Sequence, residues 1–302
     1  MMQIARNHHF VPQAYLAGFT DTGTKKGRLY AFDLVDGRCF RPKPRNVAFE
    51  VDFNRFEAEG QPPDALEKAF GEFEGKASSV IRAMCREGQL PCDEEFSYVL
   101  NLICLLATRN PRLRNSMTIA RRHTARIISE LLVANRATYE RQIAASRGAG
   151  FVPDKVLPFE RMKALVERDD YQIEISTAEH LQSEIRVFDR ILKSLGPRHW
   201  SLLIATPDAP DFITCDHPAN LVPKQVVFPI DARNAVLGVV DNSPWPRRVD
   251  FSALSVAEVN ARIVDQARRQ IYSRGPEVAV LHENEVVVIR SEQIIGQAGR
   301  QK

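Results

Sequence analysis

Hydrophobic positions recur at helical spacing through the middle of the chain. From Pro63 to Gly88 the apolar residues fall on one stripe, which predicts an amphipathic helix. From Asp93 to Thr108 they cover most of the circumference, as expected for a helix buried in a bundle. We predict a third helix from Arg112 to about Arg141 and another from Ala178 to Leu195. The centre of the chain is therefore predicted to be helical.

Polar and apolar positions alternate near both ends of the chain, which predicts strands. Asp36-Gly37 between two such runs indicates a hairpin. The predicted strands are 28–33, 38–41, 200–205, 211–215, 226–230, 235–240, 278–281 and 285–289. Ser255 and Glu258 form a capping-box pattern, and we predict a helix from there to Tyr272.

These elements predict an α+β fold in which a helical central layer packs on a mostly antiparallel sheet. The strands of that sheet come from both the N- and the C-terminal parts of the chain. We predict a single domain over 1–302. Its expected subdivision is a small β unit (1–62), a helical unit with a basic helix (63–147) and an α+β unit (159–302).

Two adjacent histidines precede the first short helical pattern. His8 and His9 lie just before Pro12, a residue that is tolerated in the first turn of a helix. An imidazole pair there can ligate a metal, transfer a proton or bind an anion. The competing interpretation is that one histidine caps the turn while the other is solvated. Both interpretations stay open on the residues alone.

Three carboxylates and a third histidine are further candidates for a site. Glu67 and Glu74 are seven residues apart and flank one helical stripe, so together they could bind a divalent cation or share acid and base roles. The alternative for both is a solvated helix edge. Asp216 and His217 follow a predicted strand, where reactive groups are often found, although an ordinary turn explains them equally well.

The third predicted helix is rich in arginine. From Arg109 to Arg147 there are nine arginines and two acidic residues, while the net charge of the whole chain is +3, so the remainder is net acidic. This pattern is typical of a surface for nucleic acid or another polyanion. It also fits a helix paired with acidic segments or with a partner subunit. The candidate anion-binding residues are Arg109, Arg112, Arg114, Arg121, Arg122 and Arg126.

Composition and missing motifs indicate a globular protein and disfavour several common enzyme classes, but they do not indicate a particular activity. With 44% hydrophobic and 26% charged residues in 302, the chain is an ordinary globular one. Its five cysteines are scattered and lack C-x-x-C spacing, so we expect reduced thiols in a cytoplasmic protein. We also expect no membrane partner, because no apolar run is long enough to span a bilayer. The phosphate-binding loop, the dinucleotide fingerprint, G-x-S-x-G and H-E-x-x-H are all missing from the sequence.

Several motifs taken together resemble a known family. The segments NHHFVPQAYLAGF, GRLYAFD, NVAFEVDFNRF, LEKAFGEFE, ATRNPRLR, WSLLIA, FITCDHPA and VNARIVDQARRQIY resemble, in the same order, the domain of unknown function 4238 family. The resemblance implies important positions without naming an activity. It implies that His9, Glu67, Glu74 and Asp216 match family positions. His8 and His217 stand where the family pattern differs or varies.

Two classes of function remain. One is a metal-assisted hydrolase, a phosphodiesterase or nuclease, in which His9, Glu67, Glu74 and Asp216 hold a divalent cation and His8 or His217 moves a proton. Asp216 would also belong to its catalytic set. The other is a non-enzymatic protein that binds nucleic acid or a protein partner through the arginine helix. The hydrolase hypothesis predicts that the four cation ligands converge on one site.

Overall fold

The structure is a computed structural model that describes residues 6–55, 62, 64–150, 156–241 and 245–290. In this part of the chain the helices are α1 (Gln13–Leu16), α2 (Ala65–Glu87), α3 (Asp93–Thr108), α4 (Pro111–Leu132), α5 (Arg136–Gly148), α6 (Phe159–Glu167), α7 (Thr177–Leu195) and α8 (Ala253–Gln266). The strands are β1 (Asn7–His9), β2 (Tyr30–Asp33), β3 (Arg38–Phe40), β4 (Phe49–Val51), β5 (His199–Ala205), β6 (Thr214–Cys215), β7 (Asn220–Leu221), β8 (Gln225–Pro229), β9 (Asn234–Val239), β10 (Arg248–Phe251), β11 (Gln270–Ser273), β12 (Glu277–His282) and β13 (Glu285–Arg290).

The strands form two larger sheets and two pairs. The five-stranded sheet has the order β10-β5-β9-β8-β7, and the four-stranded sheet has the order β3-β2-β11-β6. The pairs are β1–β4 and β12–β13. All of the described pairings are antiparallel except β10 with β5. Because β2 pairs with β11, one sheet joins the two ends of the chain, as the sequence predicts. The predicted α+β class is confirmed.

The described residues of the chain form two compact units. Residues Met1–Asn110 and Leu181–Lys302 contribute to the first unit, and Pro111–His180 contribute to the second. In the first unit, helices α2 and α3 pack on the five-stranded sheet, where Met84 and Ile103 share a hydrophobic cluster with Leu202. A smaller cluster in the second unit contains Val133, Tyr139 and Phe159. The subdivision predicted from the sequence stays a prediction.

Local signals explain where several helices begin and end. Helix α2 ends at Gly88, whose φ of 65° is a left-handed conformation that glycine adopts without a steric penalty. Helix α8 begins after Ser252, whose side chain accepts a hydrogen bond from the Ser255 amide. The cap is therefore three residues earlier than the predicted capping box at Ser255.

The prediction of one helix from Arg112 to Arg141 is wrong, because the helix is interrupted between the end of α4 at Leu132 and the start of α5 at Arg136. The side chain of Asn135 accepts a hydrogen bond from the Thr138 amide at 2.8 Å and starts a new helix there. The break allows Tyr139 of α5 to pack against Phe159 of α6, with ring centroids 5.7 Å apart. Phe159 is twenty positions away from Tyr139, so the local pattern of apolar residues could not predict this packing.

The prediction that the last helix runs to Tyr272 is also wrong. Helix α8 ends at Gln266, and Gln270–Ser273 form the strand β11 between β2 and β6. Ile271 pairs with Phe32 on one side and with Cys215 on the other. The two neighbouring strands satisfy the backbone groups of β11, so pairing that is distant in sequence overrides the local helical pattern. His180 and Glu184 of α7 are both buried.

No helix in the described ranges is both long enough and apolar enough to cross a lipid bilayer.

Candidate functional site

The histidine pair lies on the short strand β1, just before helix α1 begins, as the sequence predicts. His8 and His9 belong to β1, where they pair with Glu50 and Phe49 of β4. Adjacent strand residues point to opposite faces, so the two rings have different surroundings. His8 is 1% exposed and His9 is 8% exposed. The interpretation in which one of them is solvated is therefore wrong.

His8 positions the turn that follows β4. Its Nδ1 accepts a hydrogen bond from the backbone amide of Asn54 at 2.8 Å. The amide side chain of Asn54 in turn donates to Oε2 of Glu67 at 3.1 Å. His8 thus connects β1 to helix α2 through Asn54, and its role in these contacts is structural.

The two ring nitrogens of His9 differ in their contacts. Its Nδ1 lies 3.5 Å from Nε2 of Gln13, a residue at the start of α1. Its Nε2 is buried and has no hydrogen-bond partner among the described residues. Burial lowers the pKa of His9 below its ordinary value of 6.5, against the opposing effects of the Arg45 backbone and of the nearby Glu67 charge. When the Gln13 amide donates to Nδ1, the neutral ring carries its proton on Nε2.

Arg109 lies beside His9 because helix α3 ends there. The Asn110-Pro111 sequence disfavours helical geometry at the residue before the proline. The side chain of Arg109 is 2% exposed, and its Nη2 donates to the His9 carbonyl at 2.6 Å and to Oε1 of Glu74 at 2.8 Å. Its guanidinium carbon lies 4.4 Å from the centre of the Phe70 ring.

Arg109 keeps donors that no described residue accepts. A guanidinium has five N–H donors, and the two bonds of Nη2 leave those on Nε and Nη1. Both of these nitrogens are buried without a hydrogen-bond partner among the described residues. Buried polar groups in folded proteins nearly always have a partner. Nε and Nη1 of Arg109, like Nε2 of His9, are therefore buried nitrogens that the described residues leave without an acceptor.

Helix α2 supplies two carboxylates and an aromatic ring to the same neighbourhood. Glu67, Phe70 and Glu74 are three and seven residues apart, a spacing that places them on one helix face. Burial raises the pKa of Glu74 above its ordinary value, although the Arg109 charge acts in the opposite direction. We call His9, Glu67, Glu74 and Arg109 the His9 cluster. The structure thus brings together three of the four residues predicted to bind a cation.

Asp216 lies in a different set of contacts. Its carboxylate accepts hydrogen bonds from the backbone amides of Arg268 at 3.0 Å, Arg269 at 2.7 Å and Gln270 at 3.3 Å. Burial raises the pKa of Asp216, and these three bonds act against that shift. The backbone amide of its neighbour His217 donates to Sγ of Cys215 at 3.3 Å. Asp216 therefore connects the turn after β6 to the segment that leads into β11, and His217 belongs to the same turn.

The described contacts of the predicted cation ligands are with other protein groups. Within the described ranges, no group of three or more His, Cys, Asp or Glu side chains is arranged to hold a metal ion. The positive charge beside Glu74 belongs to Arg109, and Glu67 is bonded to Asn54. The shared cation site of His9, Glu67, Glu74 and Asp216 stays a prediction without support from these contacts.

The six predicted anion-binding arginines occupy different environments. Arg109 belongs to the His9 cluster, and Arg114 is buried. Arg121 lies 3.7 Å from Glu179, and Arg126 pairs with Asp169 at 2.9 Å. Nε of Arg122 donates to the Ile173 carbonyl, and Arg112 is exposed. The acidic segment that follows α6 thus neutralises part of the arginine face, as the alternative interpretation of this helix expected.

Sequence reasoning missed two contributors to the His9 cluster. Asn54 bonds Glu67, and Phe70 packs on Arg109. The position of Phe70 between Glu67 and Glu74 on one helix face was a usable signal. The role of Asn54 had no local signal, because it depends on the pairing of β1 with β4.

The comparisons with known proteins agree with the resemblance seen in the sequence. No curated protein matches the chain, and no solved structure matches it. One family model matches residues 7–277, a range that contains the whole His9 cluster and Asp216. The chain therefore belongs to the family described as Protein of unknown function (DUF4238).

Proposed function

We propose that the His9 cluster is the active site of a hydrolase that cleaves phosphodiester bonds. The observation that carries this proposal is the buried guanidinium of Arg109, which has N–H groups on Nε and Nη1 without a described acceptor. Nε2 of His9 is a further buried nitrogen without a partner in the described chain. A bound anion satisfies such donors, and a buried arginine suits phosphate because its planar fork binds two oxygens at once.

The pKa shifts in the cluster assign different roles to its side chains. The lowered pKa of His9 keeps the ring neutral at pH 7, so that Nε2–H can donate to an oxyanion. The raised pKa of Glu74 makes its carboxylate a better base near neutral pH than an ordinary glutamate. Oε1 of Glu74 is bonded to Arg109. In the proposed arrangement, Oε2 accepts a proton from water.

The proposed reaction is a hydrolysis that needs no co-reactant other than water. Glu74 accepts a proton from water, and the water oxygen bonds to phosphorus. The P–O bond to the leaving alcohol breaks, the leaving oxygen takes up a proton from solvent, and Glu74 returns the proton it accepted to solvent. Arg109 and His9 stabilise the negative charge on the phosphoryl oxygens throughout.

A metal-assisted form of this reaction is a narrower proposal. In it a divalent cation would polarise the phosphoryl group, although no three His, Cys, Asp or Glu side chains of the described chain are arranged to hold one. In the form that we favour, Arg109 supplies that positive charge. The two forms differ in their response to a chelator.

The test is hydrolysis of bis(p-nitrophenyl) phosphate and of single- and double-stranded oligonucleotides, measured with EDTA, with Mg²⁺ and with Mn²⁺. Glu74→Gln removes the proposed base and should lower kcat by about a hundredfold or more. Glu72→Gln is the matched control, because Glu72 is an exposed residue on the same helix. Its activity should equal that of the wild type.

Activity that persists in EDTA supports the form in which Arg109 supplies the charge. Activity that needs Mg²⁺ or Mn²⁺ supports the metal-assisted form. Lack of turnover of every substrate under every metal condition overturns the hydrolase proposal, and so does equal activity of Glu74→Gln and Glu72→Gln.

A further inference from the structure

The second unit contains an open groove of about 510 Å³ that the hydrolase proposal does not use. Helix α4 contributes Arg122, His123 and Arg126 to one wall, together with Ile119. The segment Tyr171–Ile173 forms the other wall. Among the described residues that line the groove there is no acidic side chain. The volume is within the range of small-ligand sites, roughly 300–1,000 Å³.

Backbone and side-chain contacts hold both arginines at the groove. Nε of Arg122 donates to the Ile173 carbonyl at 2.9 Å, so its two Nη groups remain for a ligand. Nη2 of Arg126 donates to Asp169 at 2.9 Å, with side-chain exposures of 51% and 56%. An exposed pair of this kind contributes little to stability, and a phosphate can compete with Asp169 for Arg126.

Tyr171 supplies an aromatic ring on which a base can stack, which the arginine face alone does not have. No tyrosine lies within α4, but Tyr171 lines the same groove as Arg122 and Arg126. An aromatic face stacks on a nucleobase of any sequence, while arginines bind the neighbouring phosphates. The side-chain amide of Gln172 is exposed at the same wall and can donate and accept hydrogen bonds at a base edge.

We infer that this groove binds single-stranded nucleic acid, with the base stacked on Tyr171 and the backbone phosphates on Arg122 and Arg126. A duplex keeps its bases stacked on one another and cannot offer one to Tyr171. An anionic membrane would meet the arginines and the Tyr171 ring, but it offers no base edge to the Gln172 amide. This binding does not depend on the hydrolase proposal, because all of the residues involved belong to the second unit.

The test is fluorescence anisotropy of the full chain with a labelled oligothymidylate, measured at several salt concentrations. Arg122→Glu with Arg126→Glu should weaken binding by tenfold or more and reduce the salt slope by about 1.4. The matched control is Arg141→Glu with Arg147→Glu, which makes the same charge change on exposed residues of α5. The control should retain most of the affinity.

Two single substitutions separate stacking and charge within the groove. Tyr171→Ala should weaken binding by about tenfold, whereas Tyr171→Phe should leave it unchanged, because only the ring is needed. Asp169→Asn should tighten binding, since it releases Arg126 from its ion pair. Circular dichroism and melting curves confirm that each variant is folded.

Several outcomes overturn the inference. One is that the α5 control loses as much affinity as the groove variant, which indicates general attraction to positive charge. Another is equal affinity for a duplex of the same length. A third is binding to anionic phospholipid vesicles without binding to the oligonucleotide, which assigns the groove to a membrane surface. Lack of binding to the oligonucleotide at low salt also overturns the inference that the groove binds single-stranded nucleic acid.

Discussion

The guanidinium of Arg109 and the carboxylate of Glu74 form an ion pair with an N–O distance of 2.8 Å, and the Arg109 side chain is 2% exposed. The residues are 35 positions apart, and Arg109 follows the last residue of α3 whereas Glu74 lies in the interior of α2. The same Arg109 nitrogen donates to the backbone carbonyl of His9, so three segments of the chain meet at one group. The organisation of the His9 cluster therefore depends on Arg109.

The first prediction concerns the stability of this ion pair. Arg109→Met leaves the Glu74 charge and the His9 carbonyl without their donor, and should lower the free energy of unfolding by about 3 kcal/mol. Glu74→Leu leaves Arg109 without its carboxylate and should also destabilise the fold. The double variant should lose less than the sum of the two, because neither charge is then left alone. Urea unfolding of the four proteins measures the coupling, and strict additivity contradicts it.

The second prediction is a pH dependence that arises from His9. Because burial lowers the pKa of His9 in the folded state, the unfolded state binds more protons just below pH 6.5. Stability should therefore fall as the pH is lowered from about 6.5, by at most about 1.4 kcal/mol per pH unit from this group. His9→Asn should show a smaller slope than the wild type. Urea midpoints between pH 7.5 and 5.5 measure both slopes, and identical slopes refute the assignment.

The third prediction separates Asp216 from the His9 cluster. Asp216→Ala removes the acceptor of three backbone amides and should destabilise the protein by about 1–3 kcal/mol, with or without added divalent cation. Asp216→Asn keeps one acceptor oxygen and should lose less. Thermal melting with EDTA and with Mg²⁺ makes the measurement. A loss of stability that appears only with Mg²⁺ would restore Asp216 as a metal ligand.

The fourth prediction tests packing in the five-stranded sheet. Gly238 lies opposite Trp200 in the pairing of β5 with β9. A methyl group at Gly238 would lie 2.7 Å from the indole ring, which is closer than van der Waals contact allows. Gly238→Ala should therefore destabilise the protein by about 1–3 kcal/mol. Gly275→Ala is the control, because a methyl group there meets nothing within 4 Å. Equal melting temperatures of the two variants would be inconsistent with this packing.

The sequence predicted elements well where the local pattern and the tertiary packing agree. The stripe from Leu66 to Met84 and the terminal Gly88 gave α2 nearly to the residue. The Asp36-Gly37 turn gave the β2–β3 hairpin. The errors arose at Asn135 and at Gln270–Ser273, where contacts distant in sequence decide the structure.

The candidate site was predicted in part for the same reason. The motif around His9 and the spacing of Glu67 and Glu74 marked residues that do lie in one neighbourhood. Arg109 was predicted to bind an anion, but its bond to Glu74 could not be read from the sequence, because it needs the end of α3 to lie against α2. Asp216 was assigned by chemical type, whereas the backbone amides of 268–270 decide its role.

The most direct measurement of the central claim is a crystal structure determined after soaking with tungstate, a tetrahedral oxyanion with a strong anomalous signal. The account predicts an anomalous peak whose oxygens lie within hydrogen-bonding distance of Nε and Nη1 of Arg109 and of Nε2 of His9. In Arg109→Met crystals the peak should be absent. Ordered water molecules that satisfy all three nitrogens, with no peak beside them at any soaking concentration, would contradict the account.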